Sequence, residues 1–267
     1  MRKVVSKDGT TIAFDKTGQG PAIILVGGAL SDRSAAAPLT PLLSSRFTVF
    51  AYDRRGRGDS GDKAPYAVER EVEDIYALVK EAGGSAFAYG HSSGAVLALE
   101  AAARGLAITK LALYEPPFIV DDSHPPLPTD YVARLNKLVA AGRRGDAVEL
   151  FMTAAVGVPA EIITQMRQSP MWAGMEKVAH TLAYDGIIMG NNMAGHALQA
   201  KQWASVTIPT LVMDGGASEA WARNAVQALA DALPNAQRRT LQGQMHAIDP
   251  AVLAPVLVEF FGRSEER

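Results

Sequence analysis

The stretch Gly90-His91-Ser92-Ser93-Gly94 decides how this chain is read. It lies between the run 85–89, apolar and strand-like, and a helix-forming run that begins at Ser93. A G-x-S-x-G in that setting reads as a nucleophile elbow, because small residues around the serine let the chain turn sharply from strand to helix. The turn holds the hydroxyl clear of the backbone and leaves free helix N–H groups beneath it. Ser92 is therefore the candidate nucleophile. With 24 Gly in the chain, the five residues alone could equally form a glycine-rich turn. The strand before them and the helix after them separate the two readings.

Outward from the elbow, short β-rich runs alternate with longer amphipathic ones, which predicts an α/β protein with a mostly parallel sheet and helices on both faces. Strands are expected at Lys3–Ser6, Thr11–Lys16, Ala22–Val26, Phe47–Tyr52, Ala86–Tyr89, Lys110–Tyr114, Thr210–Met213 and Gln237–Leu241. The first two should pair as an antiparallel hairpin through Asp8-Gly9. Helices are expected at Ala64–Glu81, Ser93–Arg104, Glu219–Leu233 and Pro250–Phe261, the last with Asp249 as N-cap and Pro250 in the first helical position. Between Pro116 and about Ser205 helix-like segments follow one another with no strand between them. A proline-rich connector over 121–128 opens this stretch, and amphipathic runs follow at Asp130–Ala141 and Gly145–Thr153. The expected division is 1–115 as the first part of the core, 116–205 as a helical cap and 206–267 as the second part.

Six of the nine Met fall in that inserted stretch, at 152, 166, 171, 175, 189 and 193, with Trp172 among them. They suit either an adaptable apolar pocket or the filling of an irregular helical core, and core filling is the commoner fate of a Met.

A chain of 267 residues, 48% hydrophobic and 20% charged, can bury a large core in one main domain with an insertion. A net charge of -2 offers no broad basic field, so no nucleic-acid partner is expected. The absence of cysteine rules out disulfides, thiol catalysis and cysteine metal sites. The basic N-terminal residues are followed by no long apolar stretch, so neither a signal peptide nor a membrane span is expected, and a cytoplasmic location is. The cluster Arg54-Arg55-Gly56-Arg57-Gly58 lacks a Walker Lys-Ser/Thr and a dinucleotide spacing, as does Gly18-x-Gly20. Its arginines are expected to pair with carboxylates and shape their loop. No metal-ligand spacing is present, so the expected partner is a small-molecule substrate, with no cofactor or metal. The charged tail 263–267 is expected to fray.

In the order of its signals the chain resembles the α/β-hydrolase family over nearly its whole length. These signals are a Gly-rich turn after an early strand, the motif Asp53-Arg54-Arg55-Gly56-Arg57-Gly58-Asp59-Ser60, the elbow, an inserted cap and a late His. Within the family it looks most like capped, cofactor-independent serine esterases and the perhydrolase-like (non-haem haloperoxidase-like) members. The resemblance implies the family's eight-stranded, mostly parallel sheet, and a catalytic His in the position of His246, after the last strand and before the final helix. It implies an oxyanion hole from two backbone N–H groups, which map to Ala29 and Ser93. Ala29 follows Gly27-Gly28, where His-Gly is commoner in the family.

The acid departs from the commonest pattern. Many relatives carry an Asp in the turn after the strand at 210–213, but here that turn is Asp214-Gly215-Gly216-Ala217-Ser218, with Ser218 at the expected carboxylate. Others take the acid from the end of the preceding strand, which here gives Glu115. Glu115 is the expected acid and Asp214 the alternative; the first could otherwise anchor a loop, and the second form a turn. His91 is expected to pack beside the site, while His124, His180 and His196 fall in the inserted stretch, facing solvent or substrate.

These assignments imply a serine hydrolase that cleaves an ester-like bond of a small, partly apolar substrate through an acyl-enzyme on Ser92. A cofactor-free lyase or perhydrolase using the same Ser/His pair is the first alternative, and a catalytically silent ligand-binding module the second.

Overall fold

Strands buried on both faces must be apolar along their whole length, and the runs around the elbow have that character. In the computed structural model, which describes residues 1–199 and 201–263, eight strands form one sheet. They are β1 (Arg2–Val5), β2 (Thr11–Thr17), β3 (Ala22–Val26), β4 (Thr48–Tyr52), β5 (Ala86–His91), β6 (Ile108–Tyr114), β7 (Thr210–Gly215) and β8 (Ala236–Leu241). Their spatial order is β1-β2-β4-β3-β5-β6-β7-β8. β1 with β2 and β2 with β4 are antiparallel; every pair from β4 to β8 is parallel. The hairpin through Asp8-Gly9 and the eight expected strands are all present, each within about two residues of its expected position.

The helices are α1 (Thr40–Leu43), α2 (Val68–Glu81), α3 (Ser93–Ala103), α4 (Tyr131–Ala140), α5 (Arg144–Leu150), α6 (Ala160–Met166), α7 (Pro170–Val178), α8 (Leu182–Met189), α9 (Ala220–Ala232) and α10 (Pro250–Gly262). Alternation along each strand feeds two cores. Ile24 and Val26 of β3 join α2, α3 and α9 on one face, and Ile23 and Leu25 join α1 and α10 on the other. The expected cap on α10 forms, with Asp249 accepting from the Ala251 amide at 2.8 Å.

α2 begins at Val68, four residues after its expected start. Tyr66 is held out of the helix by a tertiary contact. The Tyr66 ring stacks on Tyr184 of α8 with centroids 3.9 Å apart, and its hydroxyl donates to Glu71 at 2.9 Å.

The five helices α4 to α8 occupy the chain between β6 and β7. The helix expected to run to Thr153 ends at Leu150, and a wider π-type turn carries the chain over Phe151–Ala155. Such turns push side chains off a helix's regular face; here Phe151, Met152 and Ala155 line a cavity. The expectation about the charged tail concerns 264–267 above all, which lie outside the described residues. Among the described residues, no helix is long and apolar enough to cross a membrane.

Candidate active site

Ser92 stands at the junction of β5 and α3 with φ 57° and ψ −127°, a conformation that L-residues adopt only when their surroundings impose it. The surroundings here are tight. A Cβ on Gly94 would collide with the Val26 carbonyl oxygen, so only glycine lets α3 start against β3. The Ser92 amide donates to the Tyr114 carbonyl at 2.9 Å, which fastens the turn to β6. Leu30 (φ 58°) and Glu115 (φ 44°) are the other non-glycine residues with positive φ among those described. All three line the same cavity of about 1040 Å³.

Glu115 follows β6 directly and is 1% exposed. Its Oε2 lies 2.7 Å from His246 Nδ1, and its Oε1 accepts from the Gly215 amide at 2.8 Å and from Ser218 Oγ at 2.5 Å. Burial opposes ionisation of this carboxyl. The hydrogen bonds from His246, Ser218 and Gly215 outweigh it and hold Glu115 below the usual carboxylate range. A carboxylate only accepts, so this contact keeps a proton on His246 Nδ1 and leaves the Nε2 lone pair for the cavity.

Asp214, the alternative acid, is fully buried one strand away and is engaged elsewhere. Arg238 donates to its Oδ2 at 2.8 Å, and Thr240 to its Oδ1 at 2.9 Å.

His246 sits on the loop between β8 and α10, half exposed, and lines the cavity with Ser92. Among the described residues no hydrogen bond joins it to Ser92 Oγ, and such contacts commonly tighten only around a substrate. Two anchors hold its loop: Tyr114 Oη donates to the Met245 carbonyl at 2.7 Å, and His91 Nε2 lies 2.9 Å from the His246 carbonyl. His91 thus packs beside the site, its ring 4.8 Å from that of His246. Burial, and then the His246 ring, push its pKa down to about 4, so it stays neutral and can donate from Nε2.

The loop Gly27-Gly28-Ala29 crosses directly over the elbow. A Cβ on Gly28 would lie 3.0 Å from Ser92 Cβ, so a side chain there would have to push against the serine. The Ala29 amide makes no hydrogen bond among the described residues, and neither does the Ser93 amide at the start of α3. Both residues line the cavity.

Most of the wall is apolar. Met152, Met171, Met175, Met189 and Met193 line it, and Met189 and Met193 also belong to the buried core, so the two readings of these methionines overlap. Trp172 turns away from it, donating to Glu176 at 3.1 Å beneath the Arg167 guanidinium. His124, His180 and His196 do not line it; His124 packs on Trp221, and His180 lies 3.6 Å from Asp62. Val156, Ile162, Met171 and Met245 make an exposed apolar rim.

The arginine cluster pairs with carboxylates as expected. Arg54 forks onto Glu71 at 2.7 and 2.8 Å, and Arg55 onto Asp74 at the same two distances. Arg54 and Arg57 also each hold one oxygen of Asp185 at 2.7 Å. Asp185, which sequence reasoning missed, comes from α8. Its signal is a lone acid in the otherwise apolar run 182–189, a pattern that marks a buried charge with a fixed partner. Among the described residues no group of three or more His, Cys, Asp or Glu side chains is placed to hold a metal ion.

Residues 23–256 match the model of the Alpha/beta hydrolase family, and the chain belongs to that family. An α/β hydrolase from Sphaerobacter thermophilus is 59% identical, with a TM-score of 0.91 over 97% of this chain and 100% of that one. A 2-(acetamidomethylene)succinate hydrolase of Mesorhizobium japonicum is 27% identical over 78% of this chain and 75% of its own length. An N-formylmaleamate deformylase of Pseudomonas putida is 35% identical over a shorter stretch, 38% of this chain and 39% of its own. The fold is the α/β-hydrolase fold, and the protein is a hydrolase.

Proposed function

We propose that this hydrolase cleaves carboxylic esters through an acyl-enzyme on Ser92. The observation that carries the reading is the convergence of Ser92, the Glu115–His246 pair and the unpaired Ala29 and Ser93 amides on one apolar cavity. In this reading Ser92 Oγ attacks the acyl carbonyl while His246 Nε2 takes its proton. Glu115 holds the imidazole's orientation and stabilises the imidazolium that forms. The Ala29 and Ser93 amides receive the oxyanion, a contribution on the order of 10²–10³ in rate for each such donor. Collapse of the intermediate expels the alcohol, protonated by His246, and water repeats the sequence on the acyl-enzyme. Helices α4 to α8 act as the cap over this site, within the division 116–205.

Charge supports an uncharged acyl part. The two relatives named above carry the names of acidic substrates, a succinate and a maleamate. Among the described residues, Arg33 is the one cation that lines this cavity, and Asp15, Asp53 and Asp59 already surround its guanidinium. A carboxylate entering here would lose its water without gaining a cation, which is strongly unfavourable. An apolar acyl group would instead bury roughly 25 cal/mol for each Å² against the methionine wall.

The test is p-nitrophenol release from butyrate and hemisuccinate esters by wild-type protein and by Ser92→Ala, with a serine-directed fluorophosphonate as active-site label. The expected result is turnover and labelling that both vanish in Ser92→Ala, with butyrate preferred. A well-folded wild type that neither labels nor turns over either ester would overturn the ester reading. A preference for hemisuccinate would overturn the uncharged acyl part alone.

A further inference from the structure

Arg57 has no role in the chemistry just described, yet it is 1% exposed beneath the oxyanion loop. Its Nη1 donates to the Gly28 carbonyl at 2.5 Å, and Ser31 Oγ donates to the same oxygen at 2.7 Å. The peptide joining Gly28 to Ala29 is planar and trans, so its C=O and N–H point in opposite directions. Fixing the carbonyl toward Arg57 and Ser31 therefore directs the Ala29 N–H to the other side of the loop. The bonds have a second effect, since a guanidinium on the oxygen polarises the peptide and makes its N–H a stronger donor.

Asp185 of α8 holds Arg57 in place. Its Oδ2 accepts from Arg57 Nη2 at 2.7 Å, and its Oδ1 accepts from Arg54 at 2.7 Å and from Ser93 Oγ at 2.8 Å. Arg54 also reaches the Gly27 carbonyl at 3.3 Å. One carboxylate from the inserted helices thus touches both supports of the oxyanion site, the Gly28–Ala29 peptide through Arg57 and the start of α3 through Ser93. Stability alone does not call for such a cluster, because buried ion pairs contribute about as much as well-packed apolar groups of the same volume. An apolar side chain could not hold a carbonyl.

We infer that Arg57 is a positioning residue for the oxyanion site and that Asp185 holds it there, so that α8 sets the donor geometry opposite Ser92. This rests on the reading of Ser92, Ala29 and Ser93 given above.

The test compares an oxygen ester with its thionoester, in which C=S replaces C=O and accepts hydrogen bonds poorly. Wild type should favour the oxygen ester, and Arg57→Gln should lower its kcat by about tenfold or more, short of the 10²–10³ for a donor removed outright. KM should change little, and the oxygen-to-thiono ratio of kcat/KM should fall toward one. Ser31→Ala removes the second bond to the same carbonyl without exposing a buried charge, and should move the ratio the same way by a smaller factor. Asp185→Asn should do likewise. Equal losses on both esters in Arg57→Gln would mean a merely structural role and overturn the inference. If Arg57→Gln does not fold, an unchanged ratio in Ser31→Ala overturns it. Wild type that turns over the oxygen ester independently of Ser92, or not at all, removes the parent reading and the inference together.

Discussion

Glu115 and Asp214 stand at the same level on neighbouring parallel strands, both buried, and have opposite surroundings. Asp214 continues β7 in extended form, on the same face as Arg238 and Thr240 of β8, and its oxygens are bound there. Glu115 leaves β6 through a left-handed φ of 44°, which breaks the strand's alternation and turns its side chain to Gly215, Ser218 and His246. A carboxylate matched to a permanent cation has its charge already balanced. One held by neutral donors and an imidazole keeps its charge in reserve, which in the proposed reaction meets the proton that His246 takes up.

The largest expected consequence of this difference is kinetic. Glu115→Gln should lower kcat by about 10⁴, the scale known for neutralising the acid of such a triad, while Asp214→Asn leaves steady-state turnover within a few-fold. The reverse ranking would exchange the two roles. Next, Ser218→Asp on the Glu115→Gln background should recover part of the lost turnover, since Ser218 Oγ is within 2.5 Å of Glu115; no recovery would show that the carboxylate must approach from β6.

Stability should separate the pair the other way. Asp214→Asn gives up a charge-assisted pairing at a fully buried position and should cost about 1–3 kcal/mol in denaturant unfolding. A smaller effect is expected with acid. Because the Glu115 carboxyl is held below its ordinary value of 4.5, the stability it contributes is complete above that pH and lost as pH falls through its folded pKa. Glu115→Gln should therefore unfold with a shallower pH dependence below 4.5 than wild type. The smallest effect is local: in an NMR titration the His91 ring should stay neutral from the ordinary imidazole value of 6.5 down to about 4.

Most of the sheet was legible because the central strands β3 to β7 are short apolar runs closed by glycine, proline or a polar turn, whereas the edge strands β1 and β8 carry polar residues. The positions of Ser92 and Glu115 were legible because they sit at strand ends, and that of His246 because its loop follows the last strand, so that chain order carries position. Asp185 was hidden for the opposite reason. It meets Arg57, 128 residues away in sequence, through tertiary packing, and no local period announces such a pairing. The late start of α2 has the same cause, since the stacking of Tyr66 on Tyr184 overrides a helix-compatible run. Trp172 shows the limit of reading composition, for neighbouring residues on α7 face different ways, and only Met171 and Met175 of that group reach the cavity.

The left-handed backbone shared by Leu30, Ser92 and Glu115 bears on heat resistance. An L-residue held at such a sparsely populated positive φ costs on the order of 1–3 kcal/mol relative to an ordinary conformation, whereas glycine adopts it freely. Of two inactive variants, Ser92→Gly should therefore melt at a higher temperature than Ser92→Ala, although it has less side chain to pack. The scaffold holds these three cavity residues like a drawn spring, and a search for thermostable variants that ignored turnover would release it at their positions.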